Sequence, residues 1–111
     1  MNKSKYLAVV CLFVGSAALY GQAPAKGDAA KGRGIFEQQC GLCHDALTTD
    51  KKMGPGFKGL FKMPKLSTNG KPVNDANVLE RINAGGNGMP SYKDILSDTE
   101  KNDVVAYLKT L

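Results

Sequence analysis

Apolar residues in this chain occur as one mostly apolar run near the N-terminus and then as short helical repeats separated by a long polar stretch. The run, Leu7 to Leu19, follows Lys3 and Lys5 and precedes small residues, the order of a secretory signal. Its thirteen positions fall short of the about 20 apolar residues that a bilayer span needs. Residues 1–22 therefore read as a signal peptide, with cleavage between residues 18 and 25, and 23–26 as a flexible lead. Membrane contact is expected only if the segment is retained. Cys11 lies inside the run and leaves with it.

Beyond the lead, Ala29, Gly32, Ile35 and Phe36 share one helical face, and Asp28 is placed to cap it, so a helix is predicted from Asp28 toward Cys40. A glycine at position 32 weakens such a helix by about 1 kcal/mol relative to alanine, which points to a close crossing with another helix. Residues 45–73 are rich in Gly, Pro and Lys, without clear periodicity, and predict a loop with a short helical turn near Phe57 to Phe61. A loop this long needs a surface for Phe57, Leu60, Phe61 and Leu66. Val78, Leu79 and Ile82 mark a short helix capped by Asn74 or Asp75 and closed by Gly85-Gly86. Finally, Ser97-Asp98-Thr99-Glu100 is a capping box, and Val104, Tyr107, Leu108 and Leu111 follow at helical spacing, so a helix is predicted over about 98–110. No strand-like alternation and no internal repeat is present, and the fold class is all-α.

The chemistry concentrates in Cys40-Gly41-Leu42-Cys43-His44. Two thiols three apart on a helical turn can each form a thioether with one haem vinyl, and His44 directly behind them can reach the iron. A structural zinc site would lack a fourth ligand, because His44 is the sole histidine and Cys11 the sole other thiol. A thioredoxin-like dithiol calls for a βαβ pattern that is absent. A disulfide fits the spacing but leaves His44 without a purpose. With the signal removed, about 89 residues remain, a size that buries only about 60–65% of its unfolded surface. A covalently held haem would complete that core.

One histidine leaves the opposite face of an iron open, and methionine is the natural second ligand. Met89 stands in Gly85-Gly86-Asn87-Gly88-Met89-Pro90, where flexible glycines let the backbone approach the haem; Met53 and Met63 are the alternatives, and a packing role is a third. Without the signal the chain carries 13 basic against 10 acidic residues, so net charge says little. Its distribution says more: Lys51, Lys52, Lys58, Lys62, Lys65 and Lys71 fall in one stretch whose only acid is Asp50. This is either a solvated loop surface or a patch that steers an acidic-surfaced redox partner. No nucleic-acid motif accompanies the lysines, so nucleic acid is not an expected partner.

In these motifs and their order the chain resembles the small monohaem class I cytochromes c, over residues 27–111. The matching features are Gly27-Asp28, Gly32, Ile35-Phe36, the Cys40–His44 motif, Gly54-Pro55, Met89-Pro90 with Tyr92, and Ala106-Tyr107-Leu108-Lys109. The resemblance implies three to five short helices wrapped around one haem c, attached at Cys40 and Cys43. It further implies His44 and Met89 as axial ligands, Pro55 orienting His44 through its carbonyl, Tyr92 packing on the haem, and a closing helix that meets Gly32 and Phe36 at Tyr107. Tryptophan is absent, and the lysine-rich loop between Phe61 and Asn74 departs from the family pattern. The implied function is a monomeric, exported, periplasmic one-electron carrier working between redox proteins, not an enzyme. The alternatives are a dedicated electron-accepting partner of one periplasmic dehydrogenase and an open-site ligand-binding haem protein, which would lack a second histidine as distal group.

Overall fold

Asp28 begins the first helix as the sequence predicts: its carboxylate accepts from the backbone N–H groups of Ala30 and Lys31 at 2.9 and 3.1 Å, and α1 runs over Ala29–Gln39. The computed structural model describes residues 26–111, so the signal-peptide reading and Cys11 lie outside the described residues. A single 3-10 turn, Leu60–Lys62, falls in the long loop close to the expected position. Helix α2, Asp75–Ala84, is capped by Asn74 and ends at Gly85, whose φ of 65° is left-handed. Helix α3, Asp98–Leu108, opens with both halves of the capping box, Ser97 to the Glu100 backbone and Glu100 back to the Ser97 backbone. It stops two residues before the expected end, where the Thr110 hydroxyl donates to the Tyr107 carbonyl. Among the described residues there is no strand, and no helix is long and apolar enough to cross a membrane.

The scaffold is the crossing of α1 on α3. A Cβ on Gly32 would overlap the carbonyl of Asp103, and one on Gly27 the carbonyl of Asn102, so the backbones touch where any larger residue would separate them. Phe36 packs on Tyr107 at 5.5 Å between ring centroids, while Gly32 meets Asp103 and Val104, one turn earlier than expected. The Asp103 carboxylate, buried in the crossing, accepts the Asp28 N–H at 2.6 Å and ties the start of α1 to α3. Lys101 is also buried, with its ammonium donating to Asp98 and Asn83, both at 2.8 Å, which fastens α3 to the last turn of α2. The apolar core is small: Phe36, Leu60, Val78, Ile82, Tyr92, Leu96, Val104, Val105 and Leu108. Phe57, Phe61 and Leu66 pack against it from the loop.

Candidate functional site

Helix α1 ends one residue before the two-cysteine motif, so the motif does not lie on the helix itself. Cys40 is the C-cap, and the chain tightens into one further turn in which the N–H groups of Cys43 and His44 both donate to the Cys40 carbonyl, at 3.1 and 2.9 Å. That turn keeps the helical spacing on which the thioether reading depends. The thiols are not bonded to each other. Burial, and secondarily the neighbouring Cys43, pushes the Cys40 thiol up to about 11. A redox dithiol or a zinc thiolate needs the opposite shift. Nor do the described residues bring together any group of three or more His, Cys, Asp or Glu side chains that could hold a metal ion, as a zinc site would require.

His44 is held from three directions. Its Nδ1 lies 2.9 Å from the Pro55 carbonyl, which can only accept, so Nδ1 is the nitrogen that carries the proton in the neutral ring, and Nε2 is then the one with the lone pair. Phe57 stacks on the ring at 4.4 Å and 17°. Gly54 lies directly against the ring, where a Cβ would overlap its atoms. The loop that supplies all three doubles back through Gly54 N–H to the Cys43 carbonyl and Phe57 N–H to the Asp45 carbonyl, at 2.9 and 2.7 Å. Asp45 starts that return by accepting from the Leu47 and Thr48 N–H groups, and the Leu47 bond foremost keeps its carboxyl below the ordinary range. The sequence pointed to the Gly54-Pro55 pair and gave Pro55 the orienting role, and it placed Phe57 only as a packing residue; the ring contacts of Gly54 and Phe57 and the part of Asp45 were not foreseen. The only available signal was the Gly54-Pro55 pair itself.

Met89 stands on a tight turn. Gly86 and Met89 exchange both backbone hydrogen bonds, at 2.9 and 3.1 Å, around Asn87 and Gly88, whose φ values of 52° and 86° make a type I′ turn. The glycines thus supply the left-handed backbone that this turn requires. Gly85 is needed as well, because a Cβ there would come within 2.5 Å of the Met89 carbonyl oxygen. Met89 packs half-buried against the core, whereas Met53 is 70% exposed and Met63 37%. Tyr92 is buried, with its N–H on the Ile82 carbonyl and its hydroxyl donating to the Gln39 carbonyl at 2.8 Å. It ties the methionine segment to the residue just before Cys40. Burial raises its phenol above the ordinary range. Arg81, in the last turn of α2, donates to the Gly85 carbonyl and the Thr68 hydroxyl, both at 2.8 Å. An open groove of about 580 Å³ beside His44 includes neither Cys40, Cys43 nor Met89, so it flanks the attachment turn.

Three short helices, a Cys-x-x-Cys-His turn and a histidine with a free Nε2 define a c-type cytochrome. Residues 27–108 match the family model described as cytochrome c oxidase, cbb3-type, subunit III. The chain belongs to this family as a small class I monohaem cytochrome c, an electron carrier with one covalently bound haem c. It is 32% identical to the cytochrome c6 of Synechocystis sp. over 92% of this chain and 82% of that protein. It is 30% identical to a cytochrome c of Gibberella zeae over 77% of this chain and 95% of that one. The solved cytochrome c6 of the diatom Phaeodactylum tricornutum shares the fold, with a TM-score of 0.57 and 24% identity over 76% of this chain and 93% of that one. The residues present fit a haem: two unbonded thiols in one turn, a histidine whose Nδ1 is engaged by the Pro55 carbonyl, and a buried guanidinium N–H on Arg81 with no partner.

Proposed function

We propose that this cytochrome is an exported one-electron shuttle in which Cys40 and Cys43 carry the haem as thioethers and His44 and Met89 are the axial ligands. The observation that carries the reading is the Pro55 carbonyl on His44 Nδ1, which leaves Nε2 as the one available imidazole donor in the chain. When bound, haem c supplies the Fe(III)/Fe(II) couple. The chain's part is to keep both ligand groups still, so that little rearranges as the electron moves. Stacking by Phe57 and the Gly54 contact hold the imidazole, and the type I′ turn presents the thioether of Met89. A thioether ligand favours the reduced form relative to a second imidazole, and the buried surroundings add to that preference. Tyr92 supports the same assembly by joining the methionine segment to Gln39.

Residues 1–22 serve as the export signal, 23–26 as the lead and 27–111 as the working domain, on the charge and hydropathy order of the sequence. The partner is a redox protein with an acidic surface. All six lysines of the 51–71 stretch are exposed, and Lys51, Lys58, Lys62 and Lys65 make no ion pair among the described residues, whereas Lys71 is taken by Glu80 at 2.7 Å. Reduction rates that fall steeply with salt for one donor only would favour a dedicated dehydrogenase partner.

The test is an optical spectrum and mass of the exported protein, then of Met89→Ala. Covalent haem with the weak red iron–methionine band in the oxidised form is expected for the parent. The variant should lose that band, drop in reduction potential and bind carbon monoxide. Unchanged potential and no carbon monoxide binding would sink Met89 as ligand.

A further inference from the structure

Arg81 is a partly buried cation with no anion. The five ion pairs among the described residues, Arg33–Glu37, Lys52–Asp45, Lys71–Glu80, Lys101–Asp98 and Lys109–Asp75, all use other cations. Its sequence neighbour Glu80 has both carboxylate oxygens on Lys71. Both acceptors Arg81 does have, the Gly85 carbonyl and the Thr68 hydroxyl, are neutral. Its Nε–H is buried and unpartnered. A guanidinium in that condition lacks both a hydrogen bond and a counter-charge, and proteins rarely leave either unmet away from water.

The surroundings say where the missing group comes from. Arg81 joins three segments: the end of α2, the turn that carries Met89, since a Cβ on Gly86 would come within 3.2 Å of Arg81 Nη1, and the lysine-rich loop at Thr68. No carboxylate of the described chain is paired with Arg81 there. Haem c brings two, its propionates. We infer that Arg81 is the propionate anchor of this cytochrome: Nε–H donates to one haem propionate while Nη1 and Nη2 hold the methionine turn and the Thr68 loop around it. The positive charge then offsets that of the propionate, which otherwise favours the ferric form, so Arg81 is a positioning residue that also raises the reduction potential. This rests on the covalent haem and not on the identity of the sixth ligand.

The test uses the reduced holoprotein, where the Arg81 Nε proton should give a slowly exchanging NMR resonance with a through-space cross-peak to a propionate methylene. Fast exchange and no cross-peak would overturn the inference without any substitution being made. In Arg81→Gln the potential should fall and one propionate's methylene resonances should shift, with the iron–methionine band retained. Arg81→Lys, which keeps the charge, should recover part of the potential. If both variants lower the potential equally, lose the band and leave the propionate signals unmoved, Arg81 only braces the methionine turn. The band reports on Met89 separately, so failure of the ligand reading and failure of the anchor are told apart.

Discussion

The His44 side and the Met89 side of this cytochrome are built on different principles. His44 is immobilised through its own ring, by the Pro55 carbonyl, the Phe57 stack and the Gly54 contact. Met89 has no polar handle, and everything that places it acts on the backbone: two left-handed residues, the reciprocal bonds with Gly86, and Tyr92 anchored on Gln39 and Ile82. An imidazole must be turned to one orientation to offer a lone pair, whereas a thioether needs chiefly to be delivered to the right place. The two sides should therefore fail differently.

The largest effect is expected at Gly54→Ala. The added methyl has the His44 ring in its way, so the loop must move and the Pro55 hydrogen bond with it. We expect a loss of roughly 2–4 kcal/mol in denaturant unfolding of the holoprotein, together with an altered proximal signature in its spectrum. Gly88→Ala is the counterpart on the other side. A Cβ at Gly88 meets nothing within 4 Å, so only the φ of 86° is at issue, and the expected cost is about 1–2 kcal/mol with the potential nearly unchanged. Equal losses at the two positions would break the comparison. Next comes Tyr92→Phe, which removes the hydroxyl from the Gln39 carbonyl and should cost about 1 kcal/mol, read as a lower unfolding midpoint at unchanged slope.

The smallest effect belongs to the scaffold and depends on pH. The Ser97 N–H, and secondarily the Ser97 hydroxyl, hold the Glu100 carboxyl below its ordinary range. Stability from a lowered carboxylate is present above its unfolded value and is lost as pH falls through the folded one. Ser97→Ala removes only the hydroxyl's share. The gap in stability between parent and variant should thus narrow as the solution is taken from neutral to acid, and a gap that stays constant would assign the whole effect to the helix cap.

What the chain dictated locally was legible without a fold. Asp28, Asn74 and the Ser97–Glu100 box each act within three residues of themselves, so all three helix starts could be read from spacing. The Cys40–His44 turn is likewise a five-residue event. The crossing glycine was half legible: Gly32 announced a close approach, but its partner, the Asp103 carbonyl, and the matching need at Gly27 depend on residues about 70 positions away. The same holds for the burial of Lys101 and Asp103, whose partners Asn83 and Asp28 come from other elements.

At the site, candidate ligands came from residue chemistry, while their orientation came from contacts that no period encodes. Phe57 against His44, Gly54 beneath the ring and Arg81 between Gly85 and Thr68 are all made by a loop folding back or by separate segments meeting. The Asn87-Gly88 pair shows the boundary most sharply. Two positive φ values are permitted by the residues alone, but that they make a closed turn delivering Met89, and not a hinge, was decided by the pairing of Gly86 with Met89 and the anchoring of Tyr92. The amino-acid sequence by itself determined helix starts, attachment chemistry and the set of possible ligands, because those depend on groups a few bonds apart. Only the tertiary structure decided which groups hold His44 and Met89 still and which cation lacks its anion, because those depend on chain segments that approach each other only once the molecule has folded.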